Sequence, residues 1–512
     1  MPIFSYYLDN DDSTRALGED LALTVKPGDC LALSGDLGAG KSALSRALIR
    51  AVAGDDALEV PSPTFTLVQA YELRYPIFHF DLYRLADESE LAELGLDEAL
   101  SRGVVLMEWP NKAGAALPKD AIAVEISHEG EGRRVTITCA PGRFADRLAR
   151  VNAIRDFMDA NGYKGGRRRF LIGDSSFRAY ERVTTSDGKP LVLMDSAARP
   201  NGPPIRNGKP YSQLVHLAEN VRPFIAIGKY LEGIGLSAPA IYQSDIDQGI
   251  LMIEDLGSEG VLDAQGKPIA ERYEEAMRGL AGMHRQQPPL SLPIGNGEHH
   301  ALPSFDRETL KFEAEVLLDW HIPWLRGGEK ASEAEARDYL EIWDHLIDQL
   351  DGLETNLVLR DYHSPNILWL PERKGFDRVG IIDFQDAIIG PTSYDVVSLA
   401  QDARVTVERP LMERLMEIYM SAREAQGPFD RTAFLKGFAI MSAERACRLN
   451  GLWVRLWKRD GMESYMRHMP RTLWHLSMAF EHPVNAPLRD WCRRMGVGIE
   501  DAPGTTPRMA AA

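Results

Sequence analysis

The sequence predicts two nucleotide-handling units in tandem, an open α/β domain followed by a two-lobed α+β domain. Three observations predict this. The glycine-rich stretch GDLGAGKS at 35–42 stands between an apolar run and an amphipathic one. Far downstream, LRDYHSPN at 359–366 is followed by Asp383 in IIDF, seventeen residues after Asn366. And 512 residues exceed what one core usually fills, so two or three domains are expected.

In chain order, DCLALSG (29–35) reads as a short buried strand and SALSRALIRAVAG (42–54) as a helix closed by Gly54. Asp87 and Glu90 make a capping box for one helix through LAELGLDEALSR, ended by Gly103. GVVLMEWP (103–110) reads as a second buried strand stopped by Pro110. Strands alternating with helices predict a parallel sheet. The texture changes over 141–166, which places the domain boundary near 148, give or take about 10 residues: 1–148, then 149–512. FLIGDSSFRAYERVTTSDGKPLVLMDS then predicts antiparallel strands in a small lobe over about 165–257, with IEDLG (253–257) as a hinge. Helical patterns dominate a large lobe over about 258–490, broken by the loop at 360–367 and a short hairpin, NILWL with VGIIDF.

Composition excludes several classes. Formal net charge is −17, with −9 in the first 150 residues and −8 in the rest, so neither part is a basic nucleic-acid module. Four scattered cysteines form no metal-ligand spacing and suit buried thiols in a reducing cytosol. The N-terminal residues lack a signal-peptide pattern, and no apolar run approaches the roughly 20 residues of a membrane span. A cytoplasmic protein is expected. Arg167 to Arg169 read as a solvated strand entry, Trp453 and Trp457 as core packing, and His299 and His300 as loop residues that bind no metal.

GDLGAGKS fits the P-loop pattern G-x-x-x-x-G-K-[ST], so the first domain is predicted to be an α/β P-loop NTPase. Gly35, Gly38, Ala39 and Gly40 offer backbone N–H groups to phosphate; Lys41 brings a full charge and Ser42 a hydroxyl for Mg²⁺. In YPIFHFDLYRL, alternation puts Phe78, Phe80 and Leu82 on one face and His79, Asp81 and Tyr83 on the other. That polar face belongs either to a wetted edge strand or to a nucleotide pocket. Glu108 ends an apolar run, where open sheets place ligand groups.

These pieces, with SPTFTLV (62–68), HFDLYRL (79–85), ELGLDEAL (93–100) and MEWP (107–110), resemble the TsaE family of tRNA threonylcarbamoyladenosine biosynthesis over about residues 10–140. The resemblance implies that Lys41 and Ser42 bind ATP and Mg²⁺, that Glu108 helps hold the metal, and that Asp81 is a metal-shell or water-activating carboxylate. It also implies that Thr64 lies in a switch-like loop, that Trp109 flanks the nucleotide, and that TsaB- and TsaD-like proteins are partners.

In the second domain, the D-x-x-x-x-N spacing makes Asp361 the candidate catalytic base and Asn366 a Mg²⁺ ligand, with Asp383 returned beside it by a hairpin. His363 is read as a structural hydrogen-bonding residue, and Asp386 and Asp395 as braces. LRDYHSPN…IIDFQDA…GPTSYD resembles the aminoglycoside-phosphotransferase superfamily, a two-lobed protein-kinase-like fold. GDSSFRAYERV, FIAIGKYL and RDGMESYMRHMPRTLWHL narrow the likeness to the AmgK-like kinases of N-acetylmuramate and N-acetylglucosamine, over about 150–485. The resemblance implies ATP-dependent phosphorylation of the anomeric hydroxyl. Met194 stands where protein kinases carry a phosphate-binding lysine, which leaves Arg178 or Arg182 for that role and Ser175 and Ser176 for the γ-phosphate. Phosphorylation of another small alcohol, of aminoglycoside or choline type, and a non-catalytic binding module are the alternatives.

Overall fold

A computed structural model of the protein describes residues 1–85, 87, 90–171, 178–198 and 201–498. These divide into two compact units, Met1–Ser196 with Tyr242–Asp255, and Ala197–Ile241 with Leu256–Ala512.

The first unit is built on the strands β1 (Ile3–Leu8), β2 (Cys30–Ser34), β3 (Val68–Tyr71), β4 (Ile77–Asp81), β5 (Val104–Glu108), β6 (Ile122–Glu129) and β7 (Gly132–Thr138). They form one sheet in the order β1-β7-β6-β2-β5-β4-β3. β2 pairs in parallel with β5 and β6, and β4 with β5, whereas β1, β3 and β7 pair antiparallel. The expected parallel sheet is therefore a mixed one. Its strands β2 and β5 are apolar up to their C-terminal residues, Ser34 and Glu108, because both faces are covered. Helix α1 (Asp11–Thr24) opens on a complete capping box, Asn10 with Ser13, and α2 (Lys41–Ala53) is closed by Gly54 as expected. The two helices pack closely at Gly18, where a Cβ would lie 2.5 Å from the Cβ of Ala47.

The single helix expected before Gly103 is two, α3 (Glu90–Glu93) and α4 (Leu96–Arg102). Gly95, at φ 76°, breaks it in a left-handed conformation that the apolar periodicity does not reveal. One arm of the capping box is present, Asp87 N donating to Glu90 Oε1 at 3.2 Å.

Helix α5 (Arg143–Ala160) spans residue 148 and serves two cores. Phe144, Ala145 and Leu148 pack under the seven-stranded sheet; Ile154, Phe157 and Met158 pack with Val183, Leu191, Leu193, Ile250 and Met252. The latter belong to a second sheet of β8 (Arg167–Leu171), β9 (Ala179–Thr184), β10 (Pro190–Asp195), β11 (Ile241–Asp245) and β12 (Ile250–Glu254), in the order β11-β12-β10-β9-β8.

The reading of Arg167 to Arg169 as a solvated strand entry is corrected by this unit. The Arg168 side chain is 0% exposed and lies between carboxylates of α1 and β9. It donates to both oxygens of Glu181 at 2.7 and 2.9 Å, to Asp20 of α1 at 2.9 Å and to Val151 O at 3.1 Å. Glu19 of α1 accepts from Arg168 N at 3.0 Å and pairs with Arg167 and Arg169. A buried guanidinium needs this many acceptors, because desolvating it unpaired costs several kcal/mol, roughly.

The second unit is mostly helical. A 30-residue helix, Arg431–Asp460, is its axis, and the helices Arg307–Val316, Ser393–Ala400 and Met469–Ala479 pack against it. Two short antiparallel pairs present the chemistry: Thr355–Val358 with Ile388–Pro391, and the expected hairpin Ile367–Trp369 with Val379–Ile381. All four cysteines are buried and unpaired. Among the described residues no helix is long and apolar enough to cross a membrane.

Candidate active sites

In the first unit the C-terminal ends of β2, β5 and β4 lie side by side, with Leu33 opposite Glu108 and Glu108 opposite Asp81. The loop leaving β2 enters α2 with Gly35 at φ 143° and Gly40 at φ 112°. A Cβ on Gly35 would lie 2.3 Å from Ile126 O, so only glycine lets this loop curl over the strand end. Its amides and the N-terminus of α2 make an electropositive cradle. Lys41 Nζ donates to Gly35 O at 2.7 Å and Asp36 O at 2.9 Å, and lies 3.8 Å from the ring centroid of Trp109. Burial lowers the Lys41 ammonium from its ordinary value, against the pull of Glu108, Asp81 and Asp36.

Ser42 Oγ donates to Glu108 Oε2 at 2.9 Å, so the two groups expected to share a metal touch. Asp81 Oδ2 accepts from Ser62 at 2.8 Å and from Thr64 at 2.6 Å. β4 is an interior strand, and His79 and Asp81 are both buried, so the polar face of HFDLYRL turns into the site. His79 Nε2 lies 2.8 Å from Glu108 Oε1; neither this brace nor Ser62 was singled out from the sequence, although alternation placed His79 beside Asp81.

In the second unit, Asp361 follows Arg360, which takes a left-handed φ of 69° at the strand end. Asp395, 0% exposed, accepts from Leu359 N at 2.6 Å and Arg360 N at 2.9 Å, and so braces the loop from below. Burial pushes the Asp395 carboxyl up to about 7 against those two donors. Asp402, an unforeseen second brace, accepts from Ser364 N at 2.8 Å. The hairpin register, Ile367 opposite Ile381, returns Asp383 to the loop. Asn366 Nδ2 lies 3.0 Å from Asp361 O and 3.5 Å from Asp383 Oδ2. Gln385 then donates to Asp383 at 2.9 Å and to Asp386 at 3.1 Å.

Burial works to raise Asp361, but His363, Arg445, Arg448 and Arg360 outweigh it and hold the carboxyl at about 2. His363 is itself held below its usual value, chiefly by burial, so near neutrality the arginines supply that field. The ring of His363 makes no hydrogen bond among the described residues, and its Nδ1 is buried without a partner, in contrast to the bonding role expected of it. Met194 is buried in β10, and Arg182 pairs with Asp255 at 3.0 Å. Arg178 lies just before β9; Ser175 and Ser176 fall outside the described residues.

Among the described residues no three His, Cys, Asp or Glu side chains converge on one point. A few protein oxygens suffice for Mg²⁺, which keeps water and phosphate in its shell. Ser42 with Glu108, and Asn366 with Asp383, fit that requirement.

A glycine loop at the strand ends and a braced aspartate loop with a returning hairpin define a P-loop ATPase domain joined to a kinase-type phosphotransferase domain. Residues 8–136 match the family described as threonylcarbamoyl adenosine biosynthesis protein TsaE, and residues 167–433 the phosphotransferase enzyme family. The chain belongs to the phosphotransferase enzyme family and carries a TsaE-family domain ahead of it. An N-acetylmuramate/N-acetylglucosamine kinase of Caulobacter vibrioides is 33% identical over 348 residues, 66% of this chain and 94% of that protein. The tRNA threonylcarbamoyladenosine biosynthesis protein TsaE of Bacillus subtilis is 38% identical over 138 residues, 26% of this chain and 85% of that protein. The crystal structure of YdiB from Bacillus subtilis is 28% identical with a TM-score of 0.26, covering 30% of this chain and 96% of that one.

Proposed function

We propose that this cytoplasmic chain is bifunctional: its first domain hydrolyses ATP in support of tRNA threonylcarbamoyladenosine formation, with TsaB- and TsaD-like partners, and its second phosphorylates C1 of N-acetylmuramate or N-acetylglucosamine for reuse of cell-wall sugars. The observation that carries the second half is the loop geometry, Asp361 ionised with Asn366 and Asp383 drawn together beside it. The names of the amino-sugar kinases that match most of the second domain support the acceptor class.

In the reaction, Asp361 accepts a hydrogen bond from the acceptor hydroxyl and aligns it in line with the γ-phosphoryl group. As the new oxygen–phosphorus bond forms and the bond to ADP breaks, the hydroxyl proton passes to the carboxylate. A carboxyl held at about 2 is a weak base, so its work is orientation first and proton acceptance late. Asn366 and Asp383 would hold magnesium, which when bound neutralises charge on the departing diphosphate. In the first domain Lys41 would take the β/γ-phosphates, and Ser42 and Glu108 would hold the metal. Asp81, set by Ser62 and Thr64, orients water or the metal shell.

The test is ADP release on addition of each sugar to wild type and to Asp361→Asn. A fall of about 10²-fold or more in sugar-dependent turnover, with ATP binding kept, is expected. Equal turnover in the two proteins overturns the assignment.

A further inference from the structure

We propose that Arg467, His468 and Arg471 form a subsite for a carboxylate on the acceptor, and so set a preference for N-acetylmuramate over N-acetylglucosamine. The inference rests on the phosphotransferase reading of the second domain and deepens it.

The subsite is tied to the catalytic loop. Asp402 holds Ser364 N of that loop at 2.8 Å and Arg404 N at 2.8 Å. Arg471 grips the same turn, donating from Nη1 to Ala403 O at 2.9 Å and from Nε to Thr406 Oγ1 at 3.0 Å. Arg467 and Arg471 flank the start of the eleven-residue helix Met469–Ala479, whose end adds partial positive charge.

Among the described residues the subsite lacks a carboxylate paired with its arginines. His468 is buried between two guanidinium groups, Arg471 Nη1 3.2 Å from its Nδ1 and Arg467 Nε 3.4 Å from its Nε2. A neutral imidazole has one lone pair and an imidazolium none, so at least one contact sets N–H against N–H. Arg467 and Arg471 make no ion pair among the described residues. Asp402, the carboxylate that faces them, is already engaged by Ser364 N, Arg404 N and, at 3.3 Å, Tyr273 OH. One turn beyond Arg471, His475 is 3% exposed with Nε2 unpartnered. The field agrees: burial and then Arg471, Arg467 and Arg404 push His468 down to about 4, and burial followed by Arg467 lowers even Arg471. Cations crowded beyond the acceptors available, in a chain of net charge −17, favour an anionic ligand.

A planar carboxylate matches a guanidinium pair. N-acetylmuramate carries one on its lactyl ether; N-acetylglucosamine is the same ring without it. Arg467 is exposed, so its replacement tests binding without threatening the fold. Turnover of both sugars is measured in wild type, Arg467→Ala, Arg467→Lys and Arg459→Ala, the last an exposed arginine paired with Asp460. Binding of both sugars with a non-hydrolysable ATP analogue is measured in the same proteins. Arg467→Ala is expected to lower the N-acetylmuramate to N-acetylglucosamine ratio of kcat/KM by about tenfold or more, with Arg467→Lys between and Arg459→Ala like wild type. A ratio that does not move, or moves as much in Arg459→Ala, overturns the subsite and leaves the sugar-kinase reading intact. If neither sugar turns over, that reading falls. The subsite then stands only if N-acetylmuramate still binds more tightly than N-acetylglucosamine and loses that advantage in Arg467→Ala, and otherwise falls too.

Discussion

Replacing Arg168 with Met isolates the joint between the P-loop domain and the sheet of β8–β12. The guanidinium is fully buried and makes four hydrogen bonds, two to Glu181, one to Asp20 and one to Val151 O. Its loss leaves Glu181 buried with no cation among the described residues, while Asp20 keeps Arg155 at 2.6 Å. Breaking a buried pair from one side costs about 3–5 kcal/mol, and the retained Arg155 contact argues for the lower half of that range. Arg169→Met is the comparison. Its side chain is 21% exposed and shares Glu19 and Asp56 with Arg167, so its loss is expected to cost about 1 kcal/mol or less. Equilibrium denaturation by guanidinium chloride, followed by circular dichroism, reads both. Replacing Arg168 and Glu181 together by apolar or neutral residues, with Asp20 kept for Arg155, is expected to recover much of the loss. Equal midpoints for Arg168→Met and Arg169→Met would refute the reasoning, since both would then be surface charges.

Two further outcomes follow from the packing and the buried acids. Asp395, raised to about 7 from 3.8, binds its proton more tightly folded than unfolded, so its contribution to stability is full below about pH 4 and is lost as pH rises towards 7. Denaturation midpoints across that window are expected to fall more steeply in wild type than in Asp395→Ala, and parallel slopes would contradict it. Gly18→Ala drives a methyl into Ala47 and is expected to cost about 1–3 kcal/mol, read as a lowered thermal midpoint; no change would mean that α1 and α2 separate easily.

Much of both sites was legible because it is local. The P-loop carries its own strand and helix, and five residues from Asp361 to Asn366 fix a loop whatever surrounds it. Asp383 was legible at one remove, since seventeen residues allow a hairpin and apolar runs on both sides supply one. What escaped was non-local. Two of the acids around Arg168, Glu19 and Asp20, stand on α1, nearly 150 residues upstream, and no periodicity in RRRF points to them. His79 shared a face with Asp81 in the sequence, but whether that face met water depended on β3 covering the edge. Asp402 and Gln385 act through contacts that only the folded loop creates. Gly95 failed differently: the apolar pattern continues through it, and a single left-handed residue ends the helix.

The central claim, two separate nucleotide sites in one chain, is tested most directly by the stoichiometry of binding of a non-hydrolysable ATP analogue with magnesium, titrated calorimetrically. Two equivalents per chain are expected, falling to one in Lys41→Ala and to one in Asp383→Ala, with a different equivalent lost each time. A single equivalent in wild type, or loss of all binding in either variant, would contradict it.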